Sequence, residues 1–267
     1  VCTPKQVGPS ASMLKWEDRP GANEAVSKLV EDITIRHKFE DCIDIPANHE
    51  YCVPYQLTPK QLKGYQQMEK AQLALIEGQV VSAVNAATVA TKLLQIASGA
   101  VYDEEGDYHI VDRERYSTTI DLAEQRTNVV VFFLWKHQKD MLIEEAEKRG
   151  LSYCLIDGTV PDGKRHENVD YFQKGMYRIC FAHPQSAAHG LTLTKGVATI
   201  WPSPVYNLEH YQQGFRRIYR AGQKEKTETI TLIAEDTIET KVWEALSTKK
   251  LRMDDLLTQI TFGRDNV

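Results

Sequence analysis

Residues 129–156 read VVVFFLWKHQKDMLIEEAEKRGLSYCLI, and this stretch decides the fold. Six apolar residues rich in β-branched and aromatic types (129–134) predict a strand. The amphipathic run that follows predicts a helix closed by Gly150, and LSYCLI (151–156) predicts a second strand. A strand that is apolar throughout is buried on both faces, which happens in a parallel sheet covered by helices. Strand, helix, strand at this spacing then calls for a right-handed crossover. Downstream the alternation continues: KRHENVDYFQKG (164–175) as helix, YRICFA (177–182) and VATIW (197–201) as strands, NLEHYQQGFRR (207–217) as helix, TETITLIA (227–234) as strand and DTIETKVWEALSTKK (236–250) as helix. The fold class is α/β, a doubly wound parallel sheet sandwiched between helices, with sites expected at the carboxyl ends of the strands.

Upstream the pattern is different. Thr58-Pro59 is a cap followed by a first-turn proline, and it opens a helix through KQLKGYQQMEKAQLALIEG that Gly78 should end. A second helix, NAATVATKLLQIASG, should stop at Gly99, with Val89, Leu93, Leu94, Ile96 and Ala97 as a packing stripe. Residues 1 to about 50 mix Pro, Gly and charge, with one helix expected from Asn23 to about His37 and no core of their own. The division expected is a mainly helical segment over 1–125 and the sheet domain over 126–267.

Composition narrows the function. With 267 residues and 42% hydrophobic content, the chain can bury a substantial core. A net charge of -5 and a pI near 5.9 give no global basic field, so any contact with a polyanion must be local. The five cysteines are scattered, without zinc-ligand spacing, which fits a reduced intracellular chain with no structural metal. No apolar run approaches the roughly 18 residues that span a bilayer, so no membrane partner is expected. The absence of nuclear-localisation-like basic runs points to the cytoplasm of a bacterium or phage-infected host. The chain opens on Val1 rather than Met, which suggests that it was cut from something longer or processed.

Three stretches could carry chemistry. Gly158 to Arg165, G-T-V-P-D-G-K-R, matches a phosphate-binding loop except that Arg165 stands where a Ser or Thr would hold Mg²⁺, and Pro161 removes a backbone donor. A plain strand-to-helix turn explains it better. Gln213, Arg217 and Arg220, within YQQGFRRIYRAGQ, have helical spacings that would set them on one face. Adjacent guanidiniums repel unless an anion lies between them, and their planar forks suit phosphoryl oxygens. An exposed helix with solvated arginines would read the same way. The third stretch, Gln185 to Thr194, carries small residues and Gly190 after a strand and could admit a ligand to its backbone, or simply be a tight loop. His183 and His189 have no accompanying Cys or carboxylate cluster and are not expected to bind metal.

In this order the segments resemble the second RecA-like domain of the Swi/Snf-related branch of superfamily-two helicases. VVVFFLWKHQKDML resembles that domain's first strand and helix, and YCLIDGTVPDGKRHENVDYFQKG its "DG-S/T … R … F" segment, which accounts for the near match to a phosphate loop. ICFAHPQSAAHGLTLTKG resembles "STKAGGLGLNL", departing from it at His183-Pro184 and Ala187-Ala188-His189. YQQGFRRIYRAGQKEKTETITLIAEDTIETKV is similar to "Q-x-x-x-R-x-x-R-x-G-Q" with its strand and helix. RHKFEDCIDIPANHEYCVPYQLTPKQLKGYQQM resembles the exit from the first RecA-like domain, and QIASGAVYDEEG the connection to the second.

The resemblance covers about Arg36 to Leu257 and implies one half of a DNA-dependent ATPase. Arg217 and Arg220 would be arginine fingers, with Gln213 ordering them and Gly190 near the nucleotide. Lys136, Thr159, Gln185 and Ser186 would follow a DNA backbone. ATP and Mg²⁺ would be held mainly by a first RecA-like domain of the same polypeptide, because no stretch here supplies a convincing phosphate loop or an acidic box. This chain alone should then be inactive. A non-catalytic RecA-like module that binds DNA or a partner is the other reading, and an unrelated doubly wound transferase a third.

Overall fold

The structure is a computed structural model that describes residues 1–6, 14–33, 42–77, 83–187 and 190–262. By compactness these fall into two units, one drawn from 1–44 with 247–267 and the other from 45–246. In the smaller, β1 (Cys2–Gln6) pairs antiparallel with β2 (Leu14–Asp18), and α1 (Ala22–Val30) follows, ending in a 3-10 turn at Glu31–Ile33. The helix expected to reach His37 is present to that point, and the rest of it lies outside the described residues. Trp16 is 64% exposed, as befits a hairpin too small to bury its own face.

The larger unit is built on six parallel strands: β3 (Asn48–Tyr55), β6 (Val129–Phe132), β7 (Tyr153–Ile156), β8 (Ile179–Ala182), β9 (Ala198–Trp201) and β10 (Thr227–Ala234), in the order β3-β10-β9-β6-β8-β7. Helices α5 (Lys136–Lys148), α6 (Asp162–Gln173), α8 (Leu208–Phe215) and α9 (Ile238–Phe262) fall where the alternation predicts them, with a one-turn helix α7 (Pro184–Ala187) after β8. Val129, Val131, Ile179, Phe181, Ile200 and Ile230 are fully buried in the central core.

Strands β6 to β9 are shorter than the runs that announced them, and β10 has the bounds expected of it. The Phe133 amide still reaches the Ala182 carbonyl, but the Leu134 amide is taken by Gln138 Oε1 at 2.7 Å, which ends β6 early. Strand β3 was not expected. Its sequence, NHEYCVPY, is polar and holds Pro54, and both features suit an edge strand, with one side open to solvent and no need for every ladder bond.

Upstream, α2 (Pro59–Glu77) starts where expected, with Thr58 Oγ1 accepting from the Gln61 amide. The stop expected at Gly78 lies outside the described residues. Helix α3 (Ala83–Ala97) buries Leu93, Ile96 and Ala97 of its predicted stripe against Tyr65 of α2. A short antiparallel pair, β4 (Ala100–Tyr102) and β5 (Tyr108–Ile110), and helix α4 (Glu114–Glu124) complete the unit. Among the described residues no helix is long and apolar enough to cross a membrane.

Candidate functional site

Because all six strands run the same way, their carboxyl ends share one edge of the sheet. Lys136 follows β6, Thr159 follows β7, and Gln185 and Ser186 follow β8, so the fold brings these four positions to that edge. Lys136 and Gln185 are exposed, the Lys136 ammonium standing 6.0 Å from the Tyr108 ring centre. Thr159 is exposed as well, and its amide and hydroxyl both donate to Asp157 Oδ1, at 2.8 and 2.6 Å.

That carboxylate organises the whole turn. Its other oxygen accepts from Lys139 at 3.2 Å. Burial pushes the Asp157 carboxyl up, and the bonds from Thr159 and Lys139 outweigh it, holding the group below its usual range. Arg165 folds back to donate to the carbonyls of Asp157 and Val160. The segment that resembles a phosphate loop therefore spends its donors on itself. It is a strand-to-helix turn.

The arginine segment departs from its expected form. Helix α8, capped by Asn207, whose Oδ1 accepts from the amides of Glu209 and His210, ends at Phe215. Arg217 and Arg220 thus lie in the turns beyond it, not on one helix face with Gln213. Packing explains the stop. A Cβ at Gly214 would come within 2.6 Å of Trp201 Cζ2, so the helix is pressed against β9. The chain then tightens, with the Arg217 and Ile218 amides reaching back three residues, to bury Ile218 fully. Gln213 donates to Glu209 Oε1, one turn earlier on its own helix, at 2.8 Å.

The turn is joined to the loop that follows Gly190. The Leu193 amide donates to the Arg217 carbonyl at 2.9 Å, and Arg220 Nη1 donates to the Leu191 carbonyl at 3.2 Å. Gly190 has a φ of +71°, a conformation that disfavours any side chain, and no atom lies within 4 Å of where its Cβ would be. Burial and then the charge of Arg220 draw the Arg217 guanidinium below its usual pKa. Two cations this close favour an anion between them. His189 lies outside the described residues, and among those described no group of three or more His, Cys, Asp or Glu could hold a metal ion.

Sequence reasoning missed three buried polar groups around this edge. Arg115 of α4 makes a two-pronged contact with Glu239 of α9 at 2.9 to 3.1 Å, both side chains being essentially inaccessible. Arg115 also donates to the Pro202 carbonyl and Ser203 hydroxyl at the end of β9, and Glu239 accepts from the Ala234 amide at the end of β10. His137, stacked on Trp135 and 2.9 Å from Ser98 Oγ, is buried, which draws its pKa down to about 4. Gln223 ties the two loops from below. Arg115 sits in the charged run Asp112-Arg113-Glu114-Arg115, which reads as surface. The Thr237 cap two residues before Glu239 was the one available hint.

Residues 114–222 match the family described as the helicase conserved C-terminal domain. The fold is the RecA-like one seen in the C-terminal part of Swi/Snf-type ATPase domains. The chain is 27% identical over 258 residues to protein p41 of Acyrthosiphon pisum secondary endosymbiont phage 1, covering 93% of this chain and 54% of that protein. To the DNA annealing helicase and endonuclease ZRANB3 of Mus musculus it is 26% identical over 249 residues, covering 88% and 22%. It is also 27% identical over 160 residues to the SWI/SNF-related matrix-associated actin-dependent regulator of chromatin subfamily A member 1 of Homo sapiens, covering 57% and 15%. The SWI2/SNF2 ATPase C-terminal domain of Sulfolobus solfataricus superposes with a TM-score of 0.57 at 16% identity, over 76% of this chain and 86% of that one. The chain thus spans about half the length of p41 and about a fifth of ZRANB3. Within the helicase C-terminal domain fall every strand from β6 to β9, the Gly190 loop and the arginine turn.

Proposed function

We propose that this chain is the C-terminal half of a DNA-dependent ATPase that moves along DNA, and that Arg217 and Arg220 act on ATP held by a first RecA-like domain of the same polypeptide. The observation that carries this is the pairing of the two arginines on a turn bonded to the Gly190 loop, inside a helicase C-terminal domain. When bound, ATP supplies the phosphoryl group and Mg²⁺ neutralises its oxygens. The donor set here suits that group: two guanidiniums that repel each other and are relieved by phosphate. Their role is to stabilise charge that spreads over the equatorial oxygens as the bond breaks.

On this reading residues 1–125 are the exit from the first domain and the connection, with β3 lent to the sheet of the second, and 126–267 are the second domain. Lys136, Thr159 and Gln185 are the exposed DNA-backbone contacts, with Ser186 beside them, and Thr159 also shapes its turn through Asp157. Contact with the backbone rather than the bases suits a protein that must accept any sequence. ZRANB3, which acts on DNA by its name, supports DNA as the partner.

The test is ATP turnover, with and without DNA, of this chain alone and of the chain joined to a first RecA-like domain encoded with it. Turnover only in the joined protein, faster with DNA, supports the reading. No turnover in either form contradicts it and favours a non-catalytic binding module.

A further inference from the structure

The Gly190 loop and the arginine turn share no helix or strand, and among the described residues the contacts that hold them together include three sets of hydrogen bonds. One is the backbone bond from Leu193 to Arg217, and a second is the bond from the Arg220 side chain to the Leu191 carbonyl. The third is Gln223, which is 6% exposed. Its amide nitrogen donates to the carbonyls of Thr194, Gly196 and Ile218, at 3.1, 3.0 and 3.1 Å, two hydrogens shared among three acceptors. Its amide oxygen accepts from the backbone of Lys224 and Glu225, both at 2.9 Å, which anchors it to the segment entering β10.

The second contact is conditional. If Arg220 turns to a phosphate, as proposed above, it releases the Leu191 carbonyl, and the bonds of Gln223 still fix the turn to the loop. We infer that Gln223 is a positioning residue, setting Arg217 and Arg220 against the Gly190 loop during ATP hydrolysis. This rests on the function proposed above. Only a side chain with a donor at one end and an acceptor at the other can make this set of bonds. An arginine displaced by about 1 Å can cost on the order of 10²-fold in rate.

Two substitutions test it in the joined protein. Gln223→Met keeps the length and loses the bonds, and Gln223→Glu keeps the shape but turns an acceptor toward three carbonyls. Both should lower kcat by about 10- to 100-fold while KM for ATP stays within about threefold. In Gln223→Glu, kcat relative to the unmutated protein should recover as pH falls, because a neutral carboxyl again donates one bond. Unchanged kcat in both variants overturns the inference, as does a loss of kcat with raised KM and no recovery on acidification. Hydrogen exchange on this chain alone gives a readout that needs no activity: residues 191–196 and 217–222 should lose protection together in Gln223→Met. Loosening of only one segment overturns the clamp. An inactive unmutated protein defeats the proposed function, and hydrogen exchange still decides whether the two loops are coupled.

Discussion

Two turns at this domain's edge look alike in sequence, since each is a short stretch with basic residues that could meet phosphate. They differ in where their donors go. In the turn from Asp157 to Arg165, the Thr159 amide and hydroxyl, Lys139 and Arg165 all bond within the turn or to the carboxylate that organises it. In the turn from Arg216 to Gln223, the backbone, Gln223 and Arg220 bond to the neighbouring loop, and burial and then the charge of Arg220 draw the Arg217 guanidinium below its usual pKa. A motif therefore signals a ligand only when its donors are not already spent. The near match to a phosphate loop has its donors engaged inside its own turn, whereas Arg220 reaches out of the arginine turn to the Leu191 carbonyl of the neighbouring loop.

The largest effect that sharpens this contrast is on turnover. Arg217→Ala or Arg220→Ala in the joined protein should lower kcat by about 10³-fold or more, whereas Arg165→Ala should leave it within about threefold. Steady-state kinetics of the three variants checks this, and equal losses in all three would erase the distinction.

Acid separates structural groups by their titration. The His137 ring has its pKa drawn from 6.5 to about 4 by burial, so the unfolded chain binds its proton first. The stability it contributes is present above pH 6.5 and falls away toward pH 4, by up to about 3 kcal/mol. Asp157, held below the ordinary aspartate value of 3.8, keeps its contribution through that window and loses it only at lower pH. Urea unfolding across pH 7 to 4, repeated on His137→Gln, checks this: the slope should flatten in the variant.

Removing the organising carboxylate by Asp157→Ala leaves Lys139 half-buried and the Thr159 donors unmatched, which should destabilise the chain by roughly 2 to 3 kcal/mol. Thr159→Val should cost about 1 kcal/mol and weaken DNA binding less than Lys136→Ala does. Denaturant unfolding and a DNA titration measure the two. A greater loss of DNA affinity from Thr159→Val would mean that its hydroxyl leaves Asp157 to meet phosphate.

Much of the fold was legible because burial on both faces leaves apolar runs of a length that only a covered parallel strand needs. The edge strand β3 escaped notice for the opposite reason: half solvated and carrying Pro54, it has no such run. The arginines and Gly190 could be found by residue type and order. Their true geometry could not, because the helix stops where Gly214 meets Trp201, a contact between segments that sequence spacing does not record. The Arg115–Glu239 pair was equally hidden, since charged residues 124 positions apart read as surface until the fold closes over them.

The most direct measurement is the affinity of the joined protein for ADP with aluminium fluoride, a mimic of the transferring phosphoryl group, compared with its affinity for ATP. If the two arginines act in the transition state, Arg217→Ala and Arg220→Ala should weaken the mimic by at least about 100-fold while ATP affinity stays within about threefold. Equal losses for both ligands, or none for either, would contradict the assignment.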